Sequence, residues 1–238
     1  MSVTAAQGFR AAGVRAGLKA SGKPDLALVI NDGPLDTAAG VFTTNRVVAA
    51  PVVWSRRLLA GQDGGQPGHA RAVVLNSGSA NACTGAQGLE DTEATAAHAA
   101  GLLGAEPGQV LVCSTGVIGQ RIDMPVLLEG VDVAALALAD TAQAGTDAAT
   151  AIMTTDTVSK EDALTVGASH QSWTIGGMIK GVGMLAPGMA TMLAVITTDA
   201  VLTPQQAQDA LTSATMRTVN RINSDGCMST NDTVVLLA

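Results

Sequence analysis

Aromatic side chains are almost missing from this chain of 238 residues, which has two Trp, two Phe and no Tyr. Base stacking on aromatic platforms is thereby excluded. Charge is also scarce: Asp, Glu, Lys and Arg make up 14%, and 13 basic against 20 acidic residues leave a net charge of −7. A nucleic-acid surface needs a dense basic stripe to displace phosphate counterions, and no local run supplies one. The three cysteines, Cys83, Cys113 and Cys227, are odd in number and far apart. They read as reduced thiols rather than a disulfide framework or a CxxC metal site. His69, His98 and His170 have no metal-ligand spacing and no neighbouring Ser or Cys in a familiar catalytic frame, so neither a metal nor a histidine base is expected. The chain contains no GxxxxGK[ST] and no HExxH. Gly181, Gly183 and Ala186 fit G-x-G-x-x-A, but Pro187 follows where a dinucleotide-binding helix should be running.

What is present is a hydrophobic share of 47%, carried by Ala, Val, Leu, Ile and Met, with 27 Gly. Such a core must gain its stability from close backbone packing. The length suits one large domain or two small ones. Strand-like runs, β-branched and bounded by Gly, Pro, Asn or Ser, fall at Leu26–Asn31, Gly40–Thr43, Pro51–Trp54, Arg71–Asn76, Val110–Ser114, Trp173–Ile179, Met192–Thr198 and Thr233–Leu237. Helices are expected over about Glu90–Leu103, Pro125–Gln143 and Pro204–Val219. Thr203, Pro204 and Gln206 sign the start of the last one as a capping box. The pattern is mixed α/β.

Arg10, Arg15, Lys19 and Lys23 make the first 24 residues basic and free of acid, but these residues lack the apolar h-region that a secretory signal requires. The uncharged run Gly181 to Thr198 reaches 18 residues, a length unsurpassed in the chain. Its glycines, threonines and Pro187 argue against a membrane span. A soluble, cytoplasmic protein is expected. Thr233–Ala238 ends the sequence inside an apolar strand pattern, so truncation, or a partner segment covering that strand, is expected.

Hydroxyls cluster with glycine in four segments: Asn76–Cys83, Cys113–Gly119, Ile152–Asp156 and Lys180–Leu193. The first two follow strands, where α/β folds place their sites, although Ser, Thr and Gly also dominate ordinary turns. In the fourth, a Gly-Pro-Gly-punctuated loop leads through Ala190 into Thr191 and then into a strand. Threonine is a weak nucleophile that needs a base. If the bond before Thr191 were cut, its own α-amine, with a pKa near ~7.7–8.0, could serve. This arrangement dispenses with a His–Asp pair. The bland alternative is a threonine that starts a strand.

KGVGMLAPGMATML, together with CSTGVIG, AIMTTDT, NSGSANACTG, GFRAAGVRAGLKASG and INSDGCMSTNDT, closely resembles the ornithine acetyltransferase family of arginine biosynthesis, also called bifunctional glutamate N-acetyltransferase. The resemblance runs in consistent order from about Gly8 to the end. It implies a layered α-β-β-α fold and a precursor that cleaves itself between Ala190 and Thr191. Residues 1–190 would then belong to the first chain and 191–238 to the start of the second, with two copies of each forming a heterotetramer. It further implies acetyl transfer from N2-acetylornithine to glutamate through an acetyl-threonine on Thr191. Thr115 and Gly116 would form the oxyanion hole, and Thr154, Lys180 and Thr191 would contact substrate. No cofactor is implied, and acetyl-CoA stays open as a co-substrate.

Family members continue for well over a hundred further residues. Two other readings stand beside the transferase: a self-cleaving N-terminal-threonine amidohydrolase or aminopeptidase, and a non-catalytic truncated subunit.

Overall fold

A computed structural model describes residues 2–167, 172–184 and 192–238. Among the described residues, nine strands form two mixed sheets. The first contains β1 (Phe9–Val14), β2 (Leu26–Asn31), β4 (Ala72–Ser79) and β5 (Val110–Val117) in that order. The second runs β3 (Ala38–Phe42), β9 (Thr233–Leu237), β8 (Leu193–Thr198), β7 (Trp173–Lys180) and β6 (Lys160–Val166). β4 and β5 are parallel, as are β8 and β9, and the remaining neighbours are antiparallel.

Side chains alternate across the second sheet as the two-residue period of a strand requires. Leu193, Val195, Val235 and Leu237 join the main core, which also holds the buried residues of β2, β4 and β5. Ala194, Val234 and Leu236 face the other way and pack beneath Ala207 and Leu211 of α5 (Pro204–Arg217). On the first sheet, α1 (Ala50–Leu59) and α2 (Gly85–Leu103) pack against β5, and α3 (Met124–Leu136) against β1 and β2. α4 (Ala142–Ala151) touches strands of both sheets. The expected α/β layering of helices around two sheets is present. Among the described residues no helix is long and apolar enough to cross a membrane.

Three expectations need correction. Pro51–Trp54 lies in the helix α1, not in a strand. Pro51 suits a first helical turn, and Trp54, Ser55 and Leu58 share one buried face. The Trp54 indole donates to Val110 O and the Ser55 hydroxyl to Val112 O, which docks the helix on β5. The stretch read as one helix over Pro125–Gln143 is instead two, α3 and α4. The break occurs where Ala139 pairs with Ala11 in an isolated antiparallel bridge and the Thr141 hydroxyl caps Ala144 N–H. Of the two alternatives for the final strand, the need for a covering partner segment is the one corrected: β9 lies between β3 and β8 and is buried throughout. The predicted helix at Pro204 stands, with the Thr203 and Gln206 side chains capping each other's backbone.

Candidate active site

The strands β4 and β5 run side by side in register, Ser77 opposite Thr115 and Gly78 opposite Gly116. Thr115 is buried at the C-terminal end of β5. Gly116 has φ +134, and a Cβ there would come within 2.4 Å of the Gly78 carbonyl carbon. Only glycine permits so close an approach of two backbones in that conformation.

Lys180 closes β7 in the other sheet. Only 2% of it is exposed, so its long stem is held in the core while the ammonium reaches the cluster. Nζ donates to Thr154 Oγ1 at 2.7 Å and to Thr115 Oγ1 at 3.3 Å. An ammonium has no lone pair to offer. Both hydroxyl oxygens therefore accept from the lysine, and their own hydrogens are left to point elsewhere. Burial pushes the Lys180 pKa down, while the negative charge of Asp156 draws it back up.

Asp156 positions this group from behind. Its Oδ1 accepts from Gly181 N–H at 2.8 Å and from the Lys160 ammonium, and Oδ2 accepts from Thr154 N–H at 3.2 Å. The residue before Gly181 is Lys180, so one carboxylate ties together the backbones of both partners in the Lys180–Thr154 bond. Burial alone would raise its pKa, but the Lys160 ammonium and the two backbone N–H groups override that and hold it below the usual range.

Thr115, Gly116, Thr154 and Lys180 all line one open cavity of about 850 Å³, with Lys19 and Gly78 also lining it. Two further clefts run along α5, of about 450 and 800 Å³. They are mostly apolar.

The four strand-end and loop residues singled out from the sequence are thus brought together. Ala190 and Thr191 lie outside the described residues, as does His170. Leu193 pairs with Lys180 across β7 and β8, and β8 also touches β5. His69 and His98 have structural partners, at 2.8 Å from Asp36 and 2.7 Å from Asp132.

Three charged contributors were not assigned a role from sequence. Asp156 and Asp232 fall inside motifs recognised for other residues. Lys160 opens a half-exposed edge strand that carries no apolar pattern. Asp232 is fully buried, and its Oδ1 accepts from Met192 N–H at 2.9 Å. Burial pushes its carboxyl up to about 7 against the opposing pull of that N–H, of Ser229 and of Lys180.

Comparison with known proteins is consistent with this architecture. The arginine biosynthesis bifunctional protein ArgJ of Bifidobacterium longum is 59% identical over 239 aligned residues, spanning all of this chain and 59% of that relative. This chain therefore spans about three fifths of the length of such curated relatives. Ornithine acetyltransferase from Mycobacterium tuberculosis, solved in complex with ornithine, is 50% identical, with a TM-score of 0.73 over 81% of this chain and 96% of that one. The L-aminopeptidase D-Ala-esterase/amidase of Ochrobactrum anthropi, described as a variant of the Ntn hydrolase fold, shares the fold at a TM-score of 0.61 and 13% identity, over 100% of this chain and 73% of that one. The ArgJ family model matches residues 10–238, and the chain belongs to the ArgJ family.

Proposed function

We propose that the complete protein is a self-cleaving acyltransferase that moves an acetyl group from N2-acetylornithine to glutamate. Cleavage between Ala190 and Thr191 divides it into a first chain of residues 1–190 and a second that begins at Thr191 and includes 191–238. The observation that carries this reading is the buried ammonium of Lys180, which faces the cavity with two hydroxyls as partners and no carboxylate within salt-bridge distance among the described residues. A buried cation so placed favours an anionic ligand, and an N-acetylated amino acid brings a carboxylate. Length gives further support. The solved Mycobacterium tuberculosis chain is matched over 96% by 81% of this one, and this one is 59% of a curated relative, so the solved chain is about half as long as the curated relatives. One of two chains cut from a precursor would have that length.

In this reading the Thr191 hydroxyl attacks the acetyl carbonyl of N2-acetylornithine and passes its proton to its own α-amine. The oxyanion is met by the Thr115 hydroxyl, whose hydrogen the lysine contact leaves available, and by Gly116 N–H. Collapse expels ornithine, whose amine takes the proton, and leaves acetyl-threonine. The amine of glutamate then attacks that ester, with the same proton path reversed. Thr154 and Lys180 hold the carboxylate-bearing substrates. Acetyl-CoA is an alternative donor to the same threonine, and no bound cofactor takes part. The assembly is a heterotetramer of two first and two second chains, and the enzyme works in the cytoplasm.

The test is turnover of N2-acetylornithine with and without glutamate. Acetylglutamate formed in step with ornithine is expected. Glutamate-independent release of acetate would instead make the protein a hydrolase.

A further inference from the structure

The two residues before β9 touch both halves of the site. Asn231 donates from Nδ2 to Ser114 O at 2.9 Å and to Ala80 O at 2.6 Å. Ser114 O belongs to the peptide unit that leads into Thr115. Asp232 accepts at Oδ1 from Met192 N–H, which belongs to the peptide unit that leaves Thr191. Thr233 N–H in turn donates to Met192 O at 3.1 Å, so Met192 is gripped at both of its backbone polar groups.

Nothing about this segment is loose. Asn231 and Asp232 are buried, and Asp232 O accepts from Thr43 N–H at 2.9 Å. A buried carboxylate is costly to keep in a core, and Asp232 Oδ2 has no hydrogen-bond partner among the described residues. A group retained at such cost, with its other oxygen fixed on the amide next to the expected nucleophile, calls for a purpose beyond stability.

We propose that Asn231 and Asp232 are positioning residues that together set the distance between Thr191 and the oxyanion site at Thr115 and Gly116. Asn231 fixes the end of β5, Asp232 fixes the start of β8, and the single peptide bond between them makes the spacing rigid. The inference rests on the proposed role of Thr191. A misplacement of reacting groups by about 1 Å can cost on the order of 10²-fold in rate.

The experiment uses the complete protein, with intact mass, thermal midpoint, kcat and KM measured for wild type, Asp232→Ala, Asp232→Asn and Asn231→Asp. Asp232→Ala is expected to slow self-cleavage and to lower kcat by roughly 10- to 100-fold, with KM for N2-acetylornithine within about threefold. Asp232→Asn keeps an acceptor for Met192 N–H and is expected to restore kcat to within about fivefold of wild type. Asn231→Asp keeps the shape but turns donors into acceptors facing two carbonyls, and is expected to lose kcat with KM unchanged. A folded Asp232→Ala with wild-type kcat overturns the proposal, as does an Asp232→Asn no better than Asp232→Ala. If Asp232→Ala does not fold, Asn231→Asp decides alone, and full kcat in that variant overturns it. A wild type that cleaves but transfers no acetyl group would refute the acyltransferase reading, while cleavage in the variants would still report on the positioning.

Discussion

Lys180 Nζ donates to Thr115 Oγ1 at 3.3 Å, and this contact orders the hydroxyl that faces the cavity. Because the lysine can only donate, the threonine must accept, and its own hydrogen stays available to another acceptor, in the proposed reaction the oxyanion.

Thr115→Val keeps the shape of the side chain and removes that hydrogen. Loss of one oxyanion donor costs about 10²–10³ in kcat, and a loss of that size is expected here with KM and thermal midpoint nearly unchanged. Steady-state kinetics beside a melting curve checks this. Equal damage to rate and melting would count against an oxyanion role.

Lys180→Met replaces a buried charge with an apolar chain of similar length. The fold should be as stable as wild type or more so, since a buried ammonium without an ion-pair partner opposes folding. Binding should suffer instead. Losing a charge-assisted contact to a substrate carboxylate is worth ~10- to 100-fold, expected in KM for both N2-acetylornithine and glutamate. A destabilised variant with unchanged KM would show the lysine to be structural.

Two buried carboxyls respond to pH with opposite signs. Asp232 titrates near 7 in the fold, against ~3.9 in an unfolded chain. Across that window the folded protein holds a proton that the unfolded one has released, so this group makes stability fall as pH rises through it. Asp156 is held below its ordinary range by Lys160, Gly181 and Thr154, so its contribution is present above that range and is lost as pH falls through the folded value. Urea midpoints measured from about pH 4 to about pH 8 should show the decline vanish in Asp232→Asn but not in Asp156→Asn, which should be weaker than wild type at neutral pH. Identical profiles in all three proteins would contradict both assignments.

Gly116→Ala should be poorly tolerated. At φ +134 the new methyl meets the backbone of Gly78, not a side chain that could move aside. A loss of ~1–3 kcal/mol in stability is expected, read as a drop in denaturation midpoint, together with lost transfer activity. Wild-type stability would mean that β4 and β5 can part at no cost.

The sequence made the cluster legible where a motif pairs small or hydroxyl residues with a strand end. Thr115, Gly116, Thr154 and Lys180 come from three separate segments, and all line one cavity. The supporting carboxylates were not legible as such. Asp156 and Asp232 act on backbone N–H groups of residues 25 and 40 positions away, pairings that only sheet register creates. Local pattern also failed where tertiary pairing overrode it. Pro51–Trp54 is β-branched and short, too short for periodicity to separate strand from helix, and packing on β5 decided in favour of helix. β6 escaped notice because its Lys-Glu-Asp start carries none of the apolar signal of a strand, and it pairs as an edge with β7. The break between α3 and α4 has no Gly or Pro to announce it. It depends on Ala139 bonding back to Ala11.

The most direct test of a nucleophilic Thr191 is the intact mass of the complete protein after brief exposure to N2-acetylornithine without glutamate. Two chains are predicted, the second beginning at Thr191 and heavier by one acetyl group, which disappears when glutamate is added. A single uncleaved mass in active protein, or an acetyl group carried elsewhere, would contradict it.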